Sequence, residues 1–350
     1  MSEAIIDACA ALGVKANNLF VVKKRGRILL ALPKDQEAAL MALGLYQPQR
    51  FFAKIFVCFI RLIFRWGLQG VFLKRYQIND SDSEIAATKF VVEEGSVGIL
   101  LGNSEHKVSR VIASFRGQTG FEVAKMAFGE EGLILIEGEA RAIRSLPVGG
   151  AGIPKVLGTP HGSKVGIMRM PYLSGRALDS NDVDSYLGLL SRWLSDEGLC
   201  ALNEFPEWQR IQETLINFQG GGAILALLKK ITLRPAIRHG DFTPWNLIKR
   251  NDDEVLALDW EWGVSRGVPG FDLIHYLTQE LRLVRRLNTS EVIIEVKALL
   301  NKVPFSTYLE EAGWGEAHDE LFAAAIAYSS SLISGDLDEM LAKILLNQKS

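Results

Sequence analysis

Hydrophobic and polar positions alternate through much of the first half of the chain and repeat with helical spacing through most of the second. Residues 18–33 alternate apolar and basic side chains around Arg25-Gly26, which predicts a hairpin setting Phe20-Val-Val against Ile28-Leu-Leu. Residues 34–45 bring Ala38, Leu40, Ala42 and Leu43 together as helical contacts. Residues 97–101, 108–115, 121–126 and 165–170 read as further strands, with a helix over 135–146. Beyond them, 182–194 and 208–230 are helical by periodicity, the second interrupted at Gly220-Gly-Gly222. Helices follow over 271–287, 290–301, 317–332 and 337–346. Strands first and helices later predict an α+β chain, a small β-rich lobe joined to a larger helical one. The polar run over 78–84 marks the expected boundary between an N-terminal extension (1–90) and the small lobe (91–170), with the large lobe over 171–350.

Residues 51–66 break the alternation. The stretch is strongly apolar, and its only charges, Lys54, Arg61 and Arg65, are seven and four residues apart, so they share one narrow stripe of a helix. Lys74 and Arg75 follow. Three arrangements satisfy this pattern: a helix buried against the lobe with its basic stripe outward, an in-plane membrane helix with basic anchors, or a membrane span. The longest uncharged run is far shorter than the ~18 residues a span requires. Peripheral membrane contact through residues 51–73 is therefore one expectation.

The chemistry concentrates in residues 237–263. Asp241 is suited to orienting a hydroxyl and accepting its proton, and Asn246 and Asp259 offer the hard oxygen ligands that Mg²⁺ prefers. An Asp and an Asn with four residues between them, followed by a second Asp, is the order found in kinase catalytic loops. Residues 247–250 and 255–259 read as short strands flanking the polar turn Asn251-Asp-Asp-Glu254. If the turn uses all four residues, Arg250 pairs with Val255 and Asn246 falls opposite Asp259, with Cβ atoms roughly 4.5–5.5 Å apart. Glu261, two residues on, shares the face of Asp259 if the strand continues.

His239-Gly-Asp-Phe-Thr-Pro-Trp-Asn246 resembles the Brenner-type loop of the aminoglycoside phosphotransferase and choline kinase superfamily. Leu258-Asp-Trp-Glu261 is similar to its metal-binding segment, and Gly270-Phe-Asp-Leu273 to the Asp-Leu signature that follows. The resemblance covers about residues 91–340 and says nothing of 1–80. It implies a two-lobed protein-kinase-like fold and ATP- and Mg²⁺-dependent phosphorylation of a small-molecule hydroxyl, on an aminoglycoside-, amino-alcohol- or sugar-like acceptor. In that scheme Asp241 is the catalytic base, Asn246 and Asp259 hold Mg²⁺, Glu261 serves a second metal directly or through water, and His239 and Asp272 brace the loop. No Ala-Pro-Glu segment follows Asp259, which argues against a protein kinase.

For the nucleotide, Val123-Ala-Lys125 matches the strand lysine that meets the α- and β-phosphates. A lysine in an apolar strand needs a counter-charge; Glu139 is the candidate and Glu137 its rival. Gly102 opens a loop over 102–107 whose backbone N–H groups are placed to contact phosphates, with one glycine where protein kinases use three. Met170-Pro-Tyr-Leu-Ser-Gly175 resembles the inter-lobe hinge, so backbone groups of Met170 and Tyr172 are expected to face adenine; Pro171 has no N–H to offer. The glycine-rich residues 149–154 follow a helix and read as its end rather than as a phosphate cradle. Trp245, Trp260 and Trp262 admit two readings, a cage for a quaternary ammonium or packing around the loop.

Charge and cysteine content narrow the setting. Thirty-nine basic residues against 41 acidic ones give no basic excess for nucleic acid as the main partner. Cys9, Cys58 and Cys200 are far apart and form no zinc-ribbon pattern, as suits a reducing compartment. The acidic start lacks a signal-peptide pattern, so a cytoplasmic, membrane-associated or free, protein is expected. The alternative to an enzyme is a non-catalytic nucleotide-binding or membrane-associated scaffold, motivated by the single-glycine loop and the unusual extension.

Overall fold

A computed structural model describes residues 2–15, 19–24, 26–76, 85, 92–93, 95–102, 108–118, 120–147, 151–162, 164–179, 181–315, 317–332 and 336–347. The chain divides into two compact units, Met1–Arg144 with Pro154–Arg176, and Ser145–Ile153 with Ala177–Ser350. The expected linker over 78–84 lies outside the described residues.

The first unit is built on an antiparallel sheet. Its elements run α1 (Ser2–Ala11), β1 (Leu19–Lys24), β2 (Arg27–Leu32), α2 (Gln36–Gly44), α3 (Phe51–Arg65), α4 (Gln69–Phe72), β3 (Lys74–Tyr76), β4 (Gly98–Leu101), β5 (Arg110–Arg116), β6 (Phe121–Phe128), α5 (Gly129–Ser145), β7 (His161–Gly162) and β8 (Val165–Pro171). Eight strands lie in the order β3-β1-β2-β4-β5-β6-β8-β7. The predicted hairpin is present, with Phe20 opposite Leu32 and Val22 opposite Leu30. Alternation explains the two cores. Leu19, Val21, Ala31, Ile99, Val111, Ala113, Ala124 and Met126 share one core with Ile5 and Ala8 of α1 and with Leu12 just beyond it. Phe20, Val22, Leu30 and Leu32 point the other way, against Ala39, Ala42 and Leu43 of α2 and Val57, Ile60 and Phe64 of α3.

Two expectations change here. Residues 1–90 are no separate extension: β2 pairs with β4, Leu30 opposite Leu100 and Ala31 opposite Ile99, so the hairpin widens the same sheet. The pairing joins segments some seventy residues apart, which local periodicity does not report. Helix α5 also starts earlier than expected, at Gly129. Glu130 and Glu131 occupy its first turn, where carboxylates complement the helix dipole. Gly132 lets that turn approach β6, since a Cβ there would lie 2.7 Å from the carbonyl carbon of Ala127.

Among the described residues no helix is long and apolar enough to cross a membrane, and α3 has 15 residues. The span reading of 51–66 therefore fails on length. Its basic stripe does face outward, but so does much of its apolar surface.

The second unit is mainly helical: α6 (Val183–Arg192), α7 (Trp208–Leu215), α8 (Gly221–Leu228), α9 (Phe271–Gln279), α10 (Thr289–Leu300), α11 (Phe305–Glu311), α12 (His318–Leu332) and α13 (Asp336–Asn347). The glycines split 208–230 as expected: Gly220 has φ +89°, and a Cβ on Gly221 would collide with the carbonyl of Leu215. Buried Ala323 to Ala327 let α12 pack closely on α7, α9 and α13. The start of α9 is pinned from α11 and its exit. Gly270 N–H donates to the Tyr308 hydroxyl (3.1 Å), and Trp314 Nε1 donates to the Pro269 carbonyl (3.1 Å).

Candidate active site

The loop over 239–246 is assembled from buried parts around one partly exposed carboxylate. Asp272, in the first turn of α9, accepts from the backbone N–H of His239 (2.6 Å) with Oδ2 and of Gly240 (2.9 Å) with Oδ1. Gly240 has φ +88°, and a Cβ there would sit 2.5 Å from Cβ of Trp262, so the turn admits only glycine. His239 is fully buried. Its Nδ1 accepts from Asp241 N–H (3.2 Å), which fixes the proton on Nε2, and that proton is donated to the Leu258 carbonyl (2.8 Å). Burial holds the imidazole pKa below its ordinary value, although Asp272, Asp241 and Asp259 all act to raise it. His239 and Asp272 thus brace the loop by hydrogen bonds.

Asp241 itself is gripped from two sides. Asn246 Nδ2 donates to its backbone carbonyl (2.9 Å) and to Oδ2 (2.8 Å). His275 Nε2 lies 3.1 Å from Oδ1. The side chain is still 35% exposed, whereas His275 is 8%. Two hydrogen-bond partners fix the orientation of the carboxylate. His275 was not singled out from the sequence. The available signal was its position three residues after Asp272, which puts both side chains on one face of α9.

The hairpin that carries Asn246 and Asp259 has a different register from the one expected. Leu247 faces Ala257, Ile248 faces Leu256 and Lys249 faces Val255. Arg250 N–H donates to the Glu254 carbonyl (2.8 Å), and Asp253 adopts φ +64°. The loop therefore contains three residues, not four, and closes through a left-handed position, a common hairpin connection. One residue of slip moves Asn246 opposite Leu258, whose N–H donates to the Asn246 carbonyl (2.7 Å). The strand ends at Ala257. Asp259 lies beyond it at φ +68°, a conformation uncommon for a residue with a side chain.

Glu261 is affected in the same way. Gly263 N–H donates to the Trp260 carbonyl (3.0 Å), so residues 260–263 form a turn and strand alternation no longer places Glu261 on the face of Asp259. Trp260 is fully buried against His239 and Trp193, with ring centroids 4.6 and 5.3 Å away. Trp262 is 45% exposed and Trp245 half-buried. Trp260 belongs to the core, as its packing reading had it.

In the sheet unit, Lys125 Nζ lies 2.6 Å from Oε2 of Glu139, both side chains almost wholly buried. Glu139, not Glu137, is the partner. Gly102 N–H donates to the Arg110 carbonyl (3.0 Å), so it is spent within the hairpin rather than directed at a phosphate. Residues 103–107 lie outside the described residues. Met170 pairs with Val123 in the β6–β8 ladder. Tyr172, expected to face adenine, donates its N–H to the Phe121 carbonyl (2.9 Å) and its hydroxyl to the Met41 carbonyl (2.9 Å). Burial raises the pKa of that hydroxyl. Both Tyr172 donors are therefore committed to holding α2 and β6.

The donor chemistry around Asn246 and Asp259 fits a magnesium ion. With Nδ2 of Asn246 spent on Asp241, oxygen is the atom its carboxamide has left to offer, and Asp259 adds a carboxylate. Among the described residues no three His, Cys, Asp or Glu side chains cluster as a cage for a metal. Mg²⁺ is commonly held by one or two protein groups together with substrate phosphates and water, so it does not require such a cage.

No family model matches the chain, and no curated protein matches it. Among solved structures it is similar to a thermostable mutant of the aminoglycoside phosphotransferase APH(4)-Ia, with 12% identity over 71% of this chain and 94% of that one and a TM-score of 0.47. It is also similar to the choline kinase LicA from Streptococcus pneumoniae (17% identity, 67% and 88% covered, TM-score 0.39). A third is the aminoglycoside phosphotransferase APH(3'')-Id from Streptomyces rimosus in complex with ADP and streptomycin (13% identity, 62% and 90% covered, TM-score 0.41).

Proposed function

We propose that the protein is an ATP- and Mg²⁺-dependent phosphotransferase acting on an alcohol group of a small molecule, in the cytoplasm. The observation that carries this reading is the state of Asp241: a carboxylate clamped by Asn246 and His275 yet still open to solvent. Phosphoryl transfer asks the protein mostly for positioning and charge neutralisation. Asp241 orients the acceptor hydroxyl and takes up its proton. Asn246 and Asp259 present oxygen ligands to the metal, and Lys125, held by Glu139, presents its ammonium to the nucleotide phosphates. When bound, ATP supplies the phosphoryl group and Mg²⁺ neutralises the phosphate charge. The buried pair in β6 and α5 supports this assignment, because a lysine is costly to bury without a reason to keep it there. Three free cysteines suit a reducing compartment.

Coupled measurement of ADP release tests the reading, using panels of aminoglycosides, amino alcohols and sugars with the products identified by mass spectrometry. Turnover stimulated by at least one acceptor, with a phosphate ester as product, is expected. Nucleotide binding with no turnover on any of these classes would favour the scaffold instead.

A further inference from the structure

Ten of the nineteen large hydrophobic side chains exposed among the described residues fall between Phe51 and Phe72. Helix α3 explains why. Successive residues turn about 100° around a helix, which divides α3 into three faces. Val57, Ile60, Ile63 and Phe64 face the sheet and are buried to 5% or less. Lys54, Arg61 and Arg65 form an exposed stripe beside them. The remaining surface, Phe51, Phe52, Ile55, Phe56, Phe59 and Leu62, is apolar and 41–83% exposed.

Helix α4 continues that surface. The Phe72 ring meets Phe59 edge-on at 6.1 Å, and Trp66 and Val71 are 70% and 78% exposed. The charge carried by the segment itself has a single sign. Between Glu37 and Asp80 the sequence carries Arg50, Lys54, Arg61, Arg65, Lys74 and Arg75 and no acidic residue.

We propose that this face docks on the surface of an anionic lipid bilayer, with α3 lying in its plane. The occupant follows from the chemistry. The apolar face offers Phe, Ile, Leu and Trp tips to the acyl boundary, and the basic stems beside it reach headgroup phosphates. No carboxylate in the segment opposes a negative surface. A 15-residue helix spans ~22 Å, too short to cross a bilayer but suited to lying along one. Because Val57, Ile60, Ile63 and Phe64 already anchor α3 to the sheet, the face is preformed and docking needs no unfolding. Apolar insertion and basic attraction together supply the two signals that stable peripheral binding takes. This inference is independent of the phosphotransferase reading.

The test is co-sedimentation of the full chain with vesicles of phosphatidylcholine alone and of phosphatidylcholine with phosphatidylglycerol, over a salt series. Binding to the anionic vesicles that weakens as salt rises is expected. Each of Lys54→Gln, Arg61→Gln and Arg65→Gln is expected to lower the partition about fivefold. Phe52→Ser with Trp66→Ser removes two exposed side chains and leaves the buried anchors in place, so circular dichroism is expected to match the parent. Their loss is expected to lower the partition by about tenfold or more for each side chain. The proposal is overturned if the chain ignores anionic vesicles or if the Phe52 and Trp66 pair variant binds them undiminished. It is equally overturned if the chain instead forms a lipid-independent dimer by light scattering that this pair variant abolishes.

Discussion

Asp241→Asn is expected to lower acceptor phosphorylation by about 10²–10⁴-fold, the usual scale for losing a positioned proton acceptor. The substitution keeps the volume of the side chain and removes its negative charge and its ability to take a proton. One new amide donor must then face Asn246 or His275, the two groups that now donate to Asp241. His275 can relieve that conflict by moving its proton to the other ring nitrogen, so the loop is expected to keep its shape. Nucleotide binding should therefore survive while turnover falls, and the split is measured by calorimetric titration alongside steady-state kinetics. Undiminished turnover in a folded Asp241→Asn variant would remove Asp241 from the mechanism.

The second large effect concerns stability and binding together. Lys125→Met removes the ammonium that faces the buried Glu139 carboxylate, and Glu139→Leu removes the carboxylate that faces the buried Lys125 ammonium. Each single change is expected to cost about 3–5 kcal/mol of stability. The double variant replaces the pair by apolar groups and is expected to recover most of that loss, because neither charge remains to be desolvated. Urea denaturation measures this. The function of the pair separates from its structural role in the same double variant. If Lys125 serves the nucleotide, the stable double variant binds ATP far more weakly than the parent. Unchanged ATP affinity would make the pair purely structural.

How far residue order alone revealed the site depended on the range of the interactions involved. The loop over 239–246 was legible because its parts are adjacent: Gly240 supplies the turn, Asp241 the carboxylate and Asn246 the amide that holds it. The Lys125 and Glu139 pairing was legible because an apolar strand makes a lysine seek a counter-charge. The register between Asn246 and Asp259 was not. It depends on Asp253 adopting a left-handed conformation, which shortens the loop by one residue, and aspartate does so only sometimes. Glu261 was misplaced for a related reason, since alternation applies only while the strand lasts. The packing role of Tyr172 was not legible, because its donors find partners in Phe121 and Met41, far away in sequence. Membership of β1 and β2 in the main sheet was hidden in the same way, by a pairing with β4 that no local pattern records.

In the proposed function Asp259, with Asn246, presents oxygen ligands to a nucleotide-bound divalent ion. Asp259→Asn tests it cleanly. Asparagine tolerates the left-handed backbone at this position as well as aspartate does, so the change removes charge and leaves the turn. Electron paramagnetic resonance of Mn²⁺, standing in for Mg²⁺, reads the site directly in the presence of a non-hydrolysable ATP analogue. Saturable, nucleotide-dependent Mn²⁺ binding by the parent chain that weakens sharply in Asp259→Asn is the predicted result. Absence of such binding, or equal binding by both chains, would remove Asp259 as a metal ligand.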